Sequence, residues 1–114
     1  MALQGTVRQV GEVVIVDFSG KITLGEGSSM LRRTLYDLIG TGKRKIILNL
    51  YDVDYIDSSG IGELVSGYTT VRGVQGELKL LNLTKRIKDL LQITRLFTVF
   101  DVRSDEDEAI RSFS

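Results

Sequence analysis

The apolar positions of this chain change period several times, and each change marks an element. Thr6 to Val10 and Val13 to Phe18 are short runs rich in β-branched residues, separated by Gly11-Glu12. They predict two strands joined by a tight hairpin. Gly20 to Gly27 is a glycine-bearing loop. Beyond Ser28-Ser29 the period lengthens: Leu31, Leu35 and Leu38 form an apolar stripe, with Arg32, Arg33 and Asp37 on the other side. That spacing predicts a helix ending near Gly40 or Gly42.

Ile46 to Leu50 is a second short apolar run of strand type, preceded by Lys43-Arg44-Lys45. Ile61, Leu64, Val65, Tyr68 and Val71 then recur at helical spacing, predicting a helix from about Ser59 to Val74. Gly76 opens a strand over Glu77 to Leu83, and Thr84 is placed to cap a helix carrying Ile87, Leu90 and Leu91. Val99-Phe100 reads as a last short strand. Ser104 stands three residues before Asp107, a capping-box spacing that starts a terminal helix burying Ala109, Ile110 and Phe113. The order is β-β-α-β-α-β-α-β-α, an α/β fold over a single domain, 1–114. Alternating strands and helices imply right-handed crossovers and a mostly parallel sheet, with the first strand antiparallel.

Composition narrows the chemistry. Fifteen basic residues offset fifteen acidic ones, so no net field favours nucleic acid or an anionic membrane. No apolar stretch approaches the ~20 residues of a membrane span. Met1 to Gly5 lacks the basic and apolar regions of a secretory signal, and a cytoplasmic protein is expected. There is no Cys and no His, which removes the thiol nucleophile, the usual triad base and the commonest metal ligands. A serine nucleophile would depend on Lys or a carboxylate for activation, and no such constellation is apparent. No enzyme activity and no cofactor are expected.

Most of the remaining clusters have plain explanations. Asp52, Asp54 and Asp57 invite a hard cation, but their spacing is not that of a calcium loop. Asp52 and Asp54 are expected in a solvated loop. Gly60-Ile61-Gly62 lacks the third glycine and the acidic partner of a dinucleotide fingerprint. Gly60, Gly62 and Gly67 cost the helix ~1 kcal/mol each against Ala. Close packing against the sheet explains Gly67, whereas for Gly60 and Gly62 packing and a partner's approach remain open. Lys43-Arg44-Lys45 and Lys85-Arg86-Ile87-Lys88 have no interleaved aromatics for stacking bases, so no direct nucleic-acid binding is expected.

Tyr55 to Gly62 carries the informative chemistry, because Ser58 and Ser59 stand where a strand hands over to a helix. A hydroxyl there either caps the helix or is presented for modification. Capping by Ser59 leaves Ser58 free, so both jobs are compatible.

Leu48-Asn49-Leu50, six further residues, and then Asp57-Ser58-Ser59-Gly60-Ile61-Gly62 resemble the signature of bacterial anti-sigma factor antagonists, the STAS domain family. The resemblance covers nearly the whole chain. It includes the opening hairpin, Phe18-Ser19-Gly20-Lys21-Ile22, and Gly76-Glu77-Leu78-Lys79-Leu80. It implies that Ser58, or alternatively Ser59, is phosphorylated by an ATP-dependent anti-sigma factor serine kinase. Asp57, Gly60 and Gly62 would support the acceptor loop, and Thr23, Ile61 and Glu63 would contact the partner. The unphosphorylated form would bind the kinase and so release a sigma factor, and a serine phosphatase would restore that form. The sequence departs from the family at Thr23, where many members carry a carboxylate. The alternative within the family is a scaffold subunit of a stressosome or of a membrane lipid-transport complex.

Overall fold

A computed structural model describes residues 3–113. Met1, Ala2 and Ser114, part of the single domain expected over 1–114, lie outside the described residues. The elements are β1 (Gln4–Val10), β2 (Val13–Ile22), α1 (Glu26–Gly40), β3 (Lys45–Ile56), α2 (Ser58–Gly73), β4 (Glu77–Leu81), α3 (Lys85–Ile93), β5 (Asp101–Arg103) and α4 (Glu106–Arg111). The expected order is present. One five-stranded sheet runs β1-β2-β3-β4-β5, with β1 antiparallel to β2 and the rest parallel. Gly11 sits at φ 61 in the hairpin, a conformation that favours glycine.

Because spatial order follows chain order, successive right-handed crossovers place α1, α2 and α3 on the same face of the sheet. There Leu31, Leu35, Leu64, Val71, Ile87 and Leu91 pack on Val14, Val16, Ile46, Leu48 and Leu80. The opposite face buries Val13, Ile15, Ile47 and Leu81 under Ala109 of α4, with Ile110 and Phe113 alongside. Strand side chains alternate between faces, which is why adjacent residues such as Val14 and Ile15 enter different clusters.

Several boundaries differ from those the sequence predicts. β3 runs on to Ile56, so Asp52 and Asp54 lie on a strand rather than in a loop. Its pairing with β2 slips by one residue at two places, between Asp17 and Ser19 and between Gly20 and Lys21. Such bulges change which face a side chain meets, and Leu50, Val53 and Ile56 are buried at every third position. Gly20 to Ile22 belong to β2, and α1 begins at Glu26, before Ser28. β4 ends at Leu81, where Asn82 turns the chain at φ 61. The last strand is Asp101–Arg103, not Val99-Phe100: pairing with β4 begins at Lys79 opposite Asp101. Phe100 plugs the core and meets Tyr68 edge-on at 5.6 Å between ring centroids. The cap of α4 is Asp105, not Ser104; its carboxylate accepts the Glu108 N–H at 3.1 Å. Arg44, from the first basic cluster, donates to the Ile39 carbonyl at the end of α1.

Charged groups fasten α4 to its face of the sheet. Arg8 on β1 donates to Asp17 on β2 at 2.5 Å and to Glu106 at 2.8 Å. Lys79, almost fully buried, donates to Asp101 at 2.6 Å and lies over the Phe113 ring at 4.7 Å. Arg103 bridges Asp101 and Glu108. The Arg8 hydrogen bonds hold Asp17 below its ordinary 3.8 and Glu106 below its ordinary 4.5. Arg103, then Lys79, hold Asp101 below 3.8. Carboxylates depressed in the folded state add stability above their unfolded values and lose it as pH falls through their folded ones. Thermal unfolding midpoints should therefore drop as pH falls from about 5 to about 3. Arg8→Met should lower the midpoint at pH 7 and make that acid-side drop shallower. An unchanged pH profile in the variant would remove the Arg8 bridge from the account.

Candidate functional site

The site forms where β2 and β3 end side by side and α1 and α2 begin. Ile22 pairs with Ile56, and the Asp57 N–H donates to the Ile22 carbonyl at 3.2 Å. Asp57 keeps an extended backbone, φ −104 and ψ −175, and its carboxylate caps α2 by accepting the Gly60 N–H on Oδ1 at 3.0 Å. Ser59, expected to be the cap, instead donates its hydroxyl to the same Oδ1 at 2.6 Å. Asp57 Oδ2 accepts the Leu24 N–H at 3.0 Å, which ties the β2–α1 loop to the head of α2. These bonds, the Ser59 hydroxyl first and then the Gly60 and Leu24 amides, lower the Asp57 pKa from its ordinary 3.8.

The two serines are therefore not equivalent. Ser58 is the first residue of α2, exposed, and makes no side-chain hydrogen bond among the described residues. Ser59 is partly buried and engaged on both sides. Its Oγ lies 3.0 Å from the Oγ of Ser28, which is 2.9 Å from the Thr23 carbonyl. A hydroxyl has one proton, and the Asp57 carboxylate is the stronger acceptor for the Ser59 proton. The single Ser28 proton then faces two acceptors, the Ser59 Oγ and the Thr23 carbonyl.

That contact is the first rung of a ladder between α1 and α2. Ser28 meets Ser59, Arg32 forms a two-point ion pair with Glu63, and Leu35 packs on Gly67. Successive rungs are three or four residues apart on each helix, so they share one face. A Cβ on Gly67 would come within 2.3 Å of Leu35 Cδ1, so the close packing of this glycine is against α1 and not, as expected, against the sheet.

The other expected residues divide by burial. Ile61, expected at the partner surface, is only 6% exposed and belongs to the core. The Glu63 side chain is 12% exposed and occupied by Arg32. Thr23 is half-buried; its carbonyl accepts the Ser28 N–H and is one of the two acceptors facing the Ser28 hydroxyl. Gly60 is held by packing: a Cβ there would sit 2.4 Å from the Ile22 carbonyl oxygen and 2.6 Å from Ile56 Cγ1. Gly62 is exposed, with nothing within 4 Å of the place a Cβ would take. Leu24, Ser28 and Arg32 complete the site without having been expected there. Leu24 is 81% exposed, and its N–H is bound by Asp57.

Nothing here is arranged to hold a metal. Asp54 pairs with Lys21, Asp57 is committed to three donors, and the described residues contain no metal-ligating group of three or more. The sheet order has no reversal, so it lacks the crevice where open α/β sheets bind nucleotides.

A match to the STAS domain model spans residues 5–109. The chain belongs to the STAS domain family. Among curated relatives, the anti-sigma-B factor antagonist of Bacillus subtilis is 30% identical over 111 residues, 97% of this chain and 100% of the relative. A crystal structure of an anti-sigma factor antagonist from Mycobacterium paratuberculosis superposes with a TM-score of 0.86 at 17% identity, over 97% of this chain and 93% of that one. The Bacillus protein SpoIIAA in its phosphorylated form gives 0.73 at 24% identity, over 95% and 97% of the two chains. These structural likenesses establish the STAS fold, with its antiparallel first strand and three helices on one face. No described helix is long and apolar enough to cross a membrane.

The two glycines in the first turns of α2 separate structure from surface. Gly60→Ala should destabilise the domain by about 1–3 kcal/mol, because backbone must move to admit the methyl group. Gly62→Ala should leave stability unchanged or raise it by up to about 1 kcal/mol, as expected for an open helical position. Chemical denaturation of both variants checks the contrast, and a Gly62→Ala loss equal to that of Gly60→Ala would refute it.

Proposed function

We propose that this STAS domain is a phosphorylation-switched anti-sigma factor antagonist with Ser58 as the acceptor. Unphosphorylated, it binds an ATP-dependent anti-sigma factor serine kinase, so that a sigma factor is released. Phosphorylated, it lets the kinase go, and a serine phosphatase returns it to the binding form. The relatives named as anti-sigma factor antagonists support the role. The observation that carries the choice of residue is the freedom of Ser58 beside the engagement of Ser59. A phosphate on Ser59 would lie against the Asp57 carboxylate and disrupt the contact with Ser28.

In the reaction, Ser58 Oγ attacks the γ-phosphorus of ATP held by the kinase, the bond to the β-phosphate oxygen breaks, and ADP leaves. The hydroxyl proton passes to a base on the kinase, since this chain has no His and Asp57 already accepts from three donors that hold it ionised. Phosphorylation adds about −1.5 to −2 charges at pH 7. Amides at the start of α2 favour that charge within the domain, so the modification need not unfold it. At an interface, two like charges ~4 Å apart repel by about 4 kcal/mol at an effective dielectric of ~20, nearly a thousandfold in affinity. The nucleotide phosphates in the kinase, or an acidic group beside them, supply the opposing charge. Thr23 and Glu63 belong to this reading as shapers of the contact surface, the former through its carbonyl and the latter through Arg32. Ile61 supports that surface from below.

The test is incubation with ATP and candidate anti-sigma kinases, followed by phosphopeptide mapping of Ile46 to Arg72. Phosphate is expected on Ser58 and absent from Ser58→Ala, which should still bind the kinase. Ser58→Glu should bind roughly thirtyfold more weakly, about half the phosphate's effect in free energy. Phosphate on Ser59 in the native chain, or equal affinity of the native and Glu forms, would overturn the assignment.

A further inference from the structure

A groove of about 500 Å³ opens between α3 and the C-terminal end of β3. Its apolar surface comes from Tyr55, Ile56, Leu90 and Ile93. Single exposed apolar residues are ordinary on a protein surface, but here Tyr55 is partly open and Ile93 is 77% exposed along one groove. Its charges are unevenly matched. Lys85 pairs with Asp89 at 2.8 Å, and Lys21, on the other strand beside Tyr55, pairs with Asp54 at 3.1 Å. Arg86 has no ion pair among the described residues; its guanidinium lies 5.5 Å from the centre of the Tyr55 ring. The first turn of α3 contains no acidic residue to offset its positive end. The groove thus combines an apolar floor with an uncompensated cation.

The groove also lies beside the acceptor. Ile56 lines it, and Ser58 follows two residues later, a separation of at most about 7 Å along extended chain. We propose that this groove seats a segment of the kinase in which an apolar side chain enters between Tyr55 and Ile93 and a neighbouring carboxylate meets Arg86. The proposal rests on the phosphoswitch reading and deepens it, because it supplies the like charge that drives release. A phosphate on Ser58 stands within reach of the kinase carboxylate and repels it. The same phosphate draws on Arg86, the cation that held that carboxylate. Affinity then falls by local electrostatics, with no movement of the sheet or helices.

The experiment uses the kinase that phosphorylates the native chain on Ser58, with ADP bound and the full chain as ligand. Affinities are measured by calorimetry for the native chain and for Arg86→Glu, Arg86→Lys, Ile93→Asp and Lys43→Glu. Arg86→Glu suits a first helical turn and Ile93→Asp changes an exposed side chain, so both should fold, which circular dichroism verifies. Each is expected to weaken binding at least about tenfold, as for loss of a central contact. Arg86→Lys keeps the charge, and Lys43→Glu lies beyond the opposite end of the sheet. Both should stay within about twofold of the native value, as for changes away from an interface centre. If folded Arg86→Glu and Ile93→Asp bind like the native chain while Ser58 is still phosphorylated, the groove proposal is overturned and the phosphoswitch stands. If the native chain neither binds an anti-sigma kinase nor accepts phosphate, the phosphoswitch fails and the groove proposal falls with it. Self-association of the free chain that these two substitutions abolish, with kinase affinity unchanged, would reassign the groove to a second copy.

Discussion

The geometry around the serine pair depends on one carboxylate. Asp57 receives a backbone amide from its own helix, a hydroxyl from Ser59 and a backbone amide from Leu24 across the gap between β2 and α1. Both of its oxygens are acceptors, and the groups facing them are donors. An amide side chain would turn an NH₂ toward one of those donors, so even the isosteric change to Asn would break part of the arrangement. With the carboxylate in place, the loop, the start of α2 and the second serine are fixed together. The first serine is left at the surface.

Close contact supports the same arrangement from beneath. Gly60 lies directly on the end of β2, closer to the Ile22 carbonyl than any side chain would allow. Below it, the α1–α2 ladder passes from hydroxyls to an ion pair to an apolar contact. The polar rungs lie toward the start of the two helices and the apolar rung lies deeper. The two helices are thereby held in register near the serine pair by directional bonds and farther away by shape. The α4 face shares none of these contacts, so its ion pairs and the one between α1 and α2 make separate contributions.

Most of this fold could be read from the sequence, because the apolar positions change period wherever an element changes type. The reading was least complete where the structure departs from simple periods. The end of β3 buries every third residue because its pairing with β2 slips twice, and alternation therefore points to a strand ending too early. Val99-Phe100 is apolar because Phe100 fills the core, not because that segment pairs. At the start of α2, three residues in succession are able to cap a helix. The position at which β3 ends selects Asp57, and that position depends on the same slips. Leu24, Ser28 and Arg32 carry no local signal, since only the packing of α1 against α2 brings them to the site. The serine pair and the unequal parts of its members are legible in the sequence, and the capping of α2 by Asp57 in place of Ser59 is not.

The sequential strand order has a further physical consequence. Strands β2 to β5 are parallel, so α1, α2 and α3 all start at the same end of the sheet. Each brings the positive end of its backbone dipole to that end. The three do not cancel, as they would if neighbouring helices ran in opposite directions. A chain with no net charge is thereby given a polarity that its composition does not reveal. Ser58 sits at the positive pole, where the domain can carry an added dianion without a dedicated cluster of cations.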